Sequence, residues 1–349
     1  MSKKIPEAIC IFGAKFMLEQ VQHLESQIEG VQIGKDIEYV HQMRVASRRL
    51  RNGLYLFREC LAGKKAKAWL DDVRNITQAL GNARDLDIQI AELNLLYTDD
   101  LDAKFKPGYA RLLLRLKQSR TKAQKKINKT LFSLQKDGTL SDITESLSKL
   151  IDGPEASSLY PQPLYEKACD SIHAELNEFL SYQPFVHEPD NKDKLHAMRI
   201  AGKHLRYTME IFAPLYEGTL DPFIILMKNL QNLLGEIHDN DVWVDWLPKF
   251  IEKEQQRVED YFGSTSPLIR LLPGLNHLTE NRQQAREKAY QTFLLTWDSA
   301  AAENAWQALK AAIRNPVIME EEVFQEQTED SQAGFAAGIP AKDQPPSEQ

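Results

Sequence analysis

Two stretches of this chain, 155 residues apart, carry the same pattern, and that duplication constrains the fold more than any other feature. His41–Phe57 (HQMRVASRRLRNGLYLF) aligns with His196–Phe212 (HAMRIAGKHLRYTMEIF) at seven identical positions of 17. Four further pairs are conservative: Val45/Ile200, Arg48/Lys203, Leu54/Met209 and Leu56/Ile211. Downstream, Val73–Asp87 (VRNITQALGNARDLD) matches Met227–Asp241 (MKNLQNLLGEIHDND) at a shift of 154, sharing Asn, Leu, Gly, Asp and Asp. Two motifs in the same order at nearly the same spacing describe one unit used twice.

The unit is helical. Apolar residues recur near every 3.6 positions through long segments, and alternating strand patterns bounded by turn pairs are hard to find. Gly, Pro and Asp clusters mark helix ends or loops at Gly30–Gly34, Lys106–Gly108, Asp137–Gly138, Asp152–Pro163, Gln183–Asp190, Gly218–Pro222, Gly263–Pro267, Pro273–Gly274 and Asn315–Pro316. The stretch 152–163, with three prolines among small polar residues, is the best internal boundary. The expected organisation is a domain over residues 1–318, with halves at 5–151 and 160–318, followed by a tail at 319–349.

That tail is acidic and rich in Gln, Pro and Ser, a composition that predicts disorder. Its eight acids and single base account for the whole formal charge of −7, leaving residues 1–318 with 42 acids and 42 bases. The working surface must therefore be read from local charge. Cys10, Cys60 and Cys169 are far apart without a CxxC pair, which argues against a disulfide framework or a thiolate metal site. Their sparse use fits a reducing compartment. No apolar run is long enough for a membrane span, and the apolar N-terminal stretch lacks the marks of a signal peptide. A cytoplasmic protein is expected.

On a helix advancing about 100° per residue, His41, Arg44, Arg48 and Arg51 fall within an arc of about 80°. Met43, Leu50, Leu54, Phe57 and Leu61 form a separate apolar stripe. The second copy repeats both: His196, Arg199, Lys203 and Arg206 against Met198, Leu205, Met209, Phe212 and Tyr216. Stacked like charges oppose helix formation by roughly 0.2–0.5 kcal/mol per pair. Yet Tyr39–Arg58 holds five Arg and no acid, so negative charge must come from elsewhere. From Ala103 to Lys136 there are eleven Lys or Arg, again without an acid. There Arg111, Arg115, Lys122, Lys125, Lys126 and Lys129 share an arc of about 100°. Arg282 and Arg286 are i,i+4 neighbours in the corresponding late helix. One Lys/Arg run is ordinarily a solvated face; a face that recurs in both copies and mixes Arg with His points to a polyanion. Asp85 and Asp239 are placed to pair with and orient Arg44 and Arg199.

These residues resemble the CHAD family, the conserved histidine α-helical domain. The matching pieces are His41-x-x-Arg44-Val45-x-x-Arg48-Arg49-Leu50-Arg51 with Leu80-Gly81-x-x-Arg84-Asp85. The second set is Leu195-His196-x-x-Arg199-Ile200-x-x-Lys203-x-Leu205-Arg206-Tyr207 with Leu234-Gly235-x-x-His238-Asp239. The likeness covers about residues 5–315. It implies an all-α protein of two up-and-down helical bundles related by pseudo-two-fold symmetry around a basic channel or groove. It also implies binding of inorganic polyphosphate and, in some members, association with polyphosphate granules. This sequence departs from the pattern where His204 replaces the arginine found at Arg49 and where His238 stands opposite Arg84. Histidine titrates near neutrality, so both predict pH-sensitive binding.

The expected function is non-catalytic polyphosphate binding, with no cofactor and no metal. Guanidinium groups donate paired hydrogen bonds to phosphate oxygens, and lysines add less directional charge. His41, Arg44, Arg48, Arg51, His196, Arg199, Lys203 and Arg206 form the expected inner ring. Arg74, Arg111, Arg115, Lys122, Lys126, Lys228, Arg282 and Arg286 are expected wall positions. Nucleic-acid binding by the same surface is the first alternative; base stacking calls for aromatics among the cations, and the basic arc of the first motif helix holds none. A metal-dependent phosphohydrolase is the second, suggested by His238-Asp239 with His196 and His204. The repeat weakens it, because His238 aligns with Arg84 and His204 with Arg49. Neither a Glu-x-Glu-x-Lys pentapeptide nor a Gly-x-x-x-x-Gly-Lys loop occurs.

Overall fold

The computed structural model describes residues 5–152 and 162–314, and its described residues form helices and turns without strands. The first half holds α1 (Glu7–Ser26), the short α2 (Ile28–Ile33), α3 (Ile37–Leu56), α4 (Gly63–Leu96), α5 (Lys106–Lys136) and α6 (Thr139–Ile151). The second holds α7 (Gln162–Leu180), α8 (Lys192–Phe212), α9 (Asp221–Phe262), α10 (Leu272–Ala302) and α11 (Ala305–Ala312). The expected boundary falls between α6 and α7, with residues 153–161 outside the described residues, as are 1–4 and the tail from 315 onward. The expected tail disorder therefore lies outside what the structure describes.

Local chemistry sets most helix ends. Asp36 caps α3 by accepting the Glu38 N–H at 2.8 Å. Gly34, Gly138 and Gly263 supply the left-handed backbone that ends or separates helices. Two expected breaks are helix starts instead: Pro107 and Pro273 sit in the first turns of α5 and α10, where a missing N–H costs nothing. Gly30 lies inside α2; it is glycine because a Cβ would sit 2.3 Å from the Tyr39 ring.

Sequential helices pack as neighbours: α3 on α4 and α4 on α5 in the first half, α8 on α9 and α9 on α10 in the second. Two apolar contacts join the halves. At one end Phe12 stacks on Phe212 with centroids 5.8 Å apart, and Phe57 meets Phe212 edge-on at 6.1 Å, within a core that runs through both halves. At the other end a second cluster gathers Leu93, Tyr109, Leu112, Trp243, Leu247, Leu271 and Leu275 from α4, α5, α9, α10 and the turn before it. There α5 and α10 approach backbone to backbone. A Cβ on Gly108 would stand 2.5 Å from the Leu271 carbonyl oxygen, and one on Gly274 2.1 Å from that of Phe105. Between these contacts α3 lies against α8.

Cys10 of α1 and Cys60, in the turn after α3, form a disulfide with Cα atoms 5.3 Å apart, while Cys169 is free. This corrects the sequence expectation. A separation of 50 residues says little when two helices bring both chain positions to bridging distance.

Candidate anion-binding site between the halves

α3 and α8 bury the stripes expected of them. Met43, Leu50, Leu54 and Phe57 from the first half, and Met198, Leu205, Met209 and Phe212 from the second, are all buried. That fixes each helix's rotation and turns the cationic rows toward the junction.

The paired motif on α4 and α9 seats the first arginine of each row. A Cβ at Gly81 would lie 3.5 Å from Arg44 Nε, and one at Gly235 3.6 Å from Arg199 Nε, so each guanidinium lies at van der Waals distance along the glycine face of the neighbouring helix. One turn on, Asp85 and Asp239 stand 4.0 Å from Arg44 and Arg199, the pairing read from the sequence. The second aspartate of each motif does different work. Asp87 accepts from Arg120 of α5 at 2.7 Å, and Asp241 from Arg286 of α10 at 2.9 Å, tying the late helix of each half to the central one.

Beyond Arg44, a cavity of about 550 Å³ opens between α3, α4 and α8. Arg48, Arg51, Arg74, Lys203 and His204 line it, with Asn52, Tyr55 and Tyr207, and no carboxylate is among its described lining residues. Arg48 and Arg206 lie over the Tyr207 ring at 5.0 and 4.6 Å. Burial, then neighbouring cations, leave this charge poorly compensated. Arg48 is lowered to about 10 by burial first, with Arg44, Arg206 and Arg199 pushing the same way and only the Tyr207 phenol opposing them. Lys203 is lowered to about 7 by burial first and then by Arg199, Arg48 and Arg44. A guanidinium keeps its proton in a protein, so for Arg48 the shift measures unbalanced positive charge. Arg51 Nε and Asn52 Nδ2 are buried donors with no acceptor among the described residues, although such groups are normally satisfied.

A smaller cavity of about 160 Å³ meets the first at Lys203. Arg44, Arg199 and His238 line it together with Asp85, Asp239 and Glu92. The His196 and His238 rings are 4.1 Å apart. His238 is pushed down to about 4 by burial, then His196, Arg199 and Lys203. His41, His196 and His204 are lowered as well, in each case by burial first and nearby cations second. The expected titration of His238 near neutrality is thus corrected: burial first, and the surrounding cations second, hold it neutral there.

The structure gathers Arg44, Arg48, Arg51, Arg74, Arg199 and Lys203 around the two cavities. Arg206 is drawn aside by Glu210, a part-buried partner that Arg49 of the first half also engages at 3.1 Å. His41 and His196 sit on the same helices just short of the cavities' described linings. The other expected wall positions are elsewhere. Arg111 and Arg115 of α5 bind the fully buried Glu254 of α9 at 3.1 and 2.7 Å, joined there by Arg257. Burial alone would raise that carboxyl; hydrogen bonds from Arg115 and Arg257 hold it below the ordinary value. Arg282 bridges to Glu92 at 3.3 Å, and Arg286 is the strut on Asp241. Lys122, Lys126 and Lys228 are exposed away from both cavities. Sequence reasoning missed Asn52, Tyr55 and Tyr207. All three carried the same signal, each standing four residues after an expected cation (Asn52 after Arg48, Tyr55 after Arg51, Tyr207 after Lys203), since i,i+4 residues share a helix face.

The CHAD domain family model matches residues 15–248 of this chain. Among solved structures, a CHAD domain from the plant Ricinus communis superposes with a TM-score of 0.57 at 20% identity, covering 90% of this chain and 94% of that one. PptA from Streptomyces chartreusis superposes with a TM-score of 0.53 at 15% identity, covering 82% and 98%. At these identities the likeness establishes the fold. No curated protein matches the chain.

Proposed function

This chain belongs to the CHAD domain family, and on that premise we propose that it binds inorganic polyphosphate in the cavity between its halves without cleaving it. The observation that carries this reading is the large cavity at the α3–α8 junction, where Arg48, Arg51, Arg74 and Lys203 converge without a described carboxylate. A linear polyanion supplies the negative charge that the described lining of this cavity lacks. The two halves, 5–151 and 160–318, are proposed to be related by a pseudo-two-fold axis through that junction. Reciprocal contacts support it: Arg44–Asp85 with Arg199–Asp239, Arg120–Asp87 with Arg286–Asp241, and Gly108 with Gly274.

Single-stranded nucleic acid is the second reading, and one observation favours it: Tyr55 and Tyr207 lie among the cations, and Tyr55 stands at about 320° on the first motif helix, inside its basic arc, which corrects the expectation of an arc without aromatics. A salt-titrated binding curve with long-chain polyphosphate, repeated with DNA as competitor, separates the two. If about ten phosphates are neutralised, log K falls with log salt at a slope near −7, a weakening of about 10⁴-fold between 50 and 200 mM. Polyphosphate should displace DNA easily, with no base preference. An affinity indifferent to salt, or phosphate release with Mg²⁺ or Mn²⁺, would overturn the reading. The proposed cytoplasmic location, with granule association, loses its cysteine support to the Cys10–Cys60 bridge and rests on the family resemblance.

A further inference from the structure

The two cavities that meet at Lys203 differ in charge, and the difference bears on which part of a phosphate chain this site holds. The larger is walled by Arg48, Arg51, Arg74 and Lys203 with no described carboxylate. The smaller sets Asp85, Asp239 and Glu92 against Arg44 and Arg199, each of those arginines already 4.0 Å from its aspartate. Glu92 also takes the Trp243 indole N–H at 3.1 Å, which holds its carboxylate in that wall. A chain entering the larger cavity gains cation contacts as far as Lys203. Beyond it, Arg44 and Arg199 are already answered by Asp85 and Asp239, Glu92 is held by Arg282 at 3.3 Å, and Ile88, Val242 and Trp243 narrow the walls, so the next phosphates gain little.

Resting on the polyphosphate reading above, we propose that this protein captures the ends of linear phosphate chains, the terminal phosphate lodging at Lys203 and Arg48 while the chain leaves through the larger cavity. The chemistry of the end group agrees. A terminal phosphate carries about −1.5 to −2 near neutrality, as a phosphomonoester does, whereas an interior unit carries one negative charge. The densest, least balanced cation cluster therefore favours the end over the middle. A channel that passed the chain through would call for unmatched positive charge along its whole length, and past Lys203 the cations are already matched by carboxylates.

The test is the saturating stoichiometry on linear polyphosphates of defined, increasing length, measured by calorimetry or analytical ultracentrifugation. End capture gives a constant number of protein molecules per chain at every length, and chains with both terminal phosphates blocked as bulky phosphoramidates lose binding. A stoichiometry rising in proportion to length, with blocked chains bound as well as free ones, would overturn end capture while leaving polyphosphate binding intact. Binding to neither kind of chain would remove the underlying function as well. The double variant Asp85→Asn/Asp239→Asn sharpens the result: with those carboxylates neutralised, blocked chains should regain binding along their interiors and the number of protein molecules per unblocked chain should rise with length.

Discussion

The two copies of the motif helix share their buried stripes but differ in how their cations are answered. On α3, whose one acid is Glu38 in the first turn, Arg48 and Arg51 face the cavity without a carboxylate in its described lining, and Tyr55 follows them. On α8 the position equivalent to Tyr55 is Glu210, which engages Arg206 and reaches across to Arg49. Arg84 of the first copy becomes His238 in the second, held neutral beside His196. Duplication therefore supplied two matching frames, while divergence at a few face positions left the uncompensated charge mostly on the first. Shared positions hold the bundle together, and unshared ones decide where an anion goes.

The largest expected effect tests that division directly. Arg48→Glu with Lys203→Glu reverses charge at the junction, where each lost buried charge contact costs about 2–5 kcal/mol. Affinity for polyphosphate should fall at least about a thousandfold, with the circular dichroism spectrum unchanged, since both side chains line a cavity. The matching reversal at Arg44 and Arg199 should lower the melting temperature first, because it sets Glu beside Asp85 and Asp239. Equal stability in the two double variants would break the distinction between seating and binding arginines.

The halves also differ covalently, since the Cys10–Cys60 bridge staples the first and Cys169 of the second is free. Cys60→Ser should cost about 2–4 kcal/mol of stability through lost constraint on the unfolded chain. Denaturant unfolding would show it as a lower midpoint with polyphosphate affinity held constant. A change in affinity would mean that the bridge shapes the cavity rim at Tyr55 as well as the core.

How far these differences were readable depended on the distance between partners. The repeat, the helices, both stripes and the Arg44–Asp85 type of pairing are visible because each depends on spacing within a helix or a motif. Arg111 and Arg115 looked identical to cavity cations, because their partner Glu254 lies some 140 residues away in another half. The same holds for Arg282 with Glu92, for the disulfide, and for Tyr207, which reaches the first copy's Arg48 only after the halves meet. Pro107–Gly108 and Pro273–Gly274 read as breaks because local chemistry shows a helix end without saying which end. What they mark is the close approach of α5 and α10.

A pH titration sharpens the comparison at the junction position where Arg48 of the first copy becomes Lys203 of the second. Arg48 stays charged throughout, whereas burial and neighbouring guanidinium groups bring Lys203 down to about 7. Because the folded value is depressed, the unfolded chain binds the extra proton between pH 7 and about 10.5. Stability of the free protein should therefore rise with pH across that window. Binding has the opposite sign, since a phosphate chain favours the ammonium. Affinity should weaken by up to about tenfold per pH unit above 7, with proton uptake measurable by calorimetry in buffers of different ionisation enthalpy. Lys203→Arg should flatten the profile and make the second copy behave like the first. A profile unchanged by that substitution would move the titration to another group.

The smallest effect concerns Glu210, the residue by which the second copy most nearly cancels its own charge. Glu210→Gln keeps a side chain of similar size and removes the acid held by Arg206 and Arg49. Its neighbours lie at the α3–α8 junction, with Arg206 over Tyr207 of the cavity wall. Two guanidinium groups so released add to the field at the cavity, and pairs of this partly exposed kind are worth up to about 1 kcal/mol. Affinity should rise no more than about fivefold, and the dependence of log K on log salt should steepen by about one phosphate's worth. If affinity rose while the salt slope stayed fixed, Arg206 would be acting through Tyr207 packing instead of through charge. The second copy's deficit would then be one of shape.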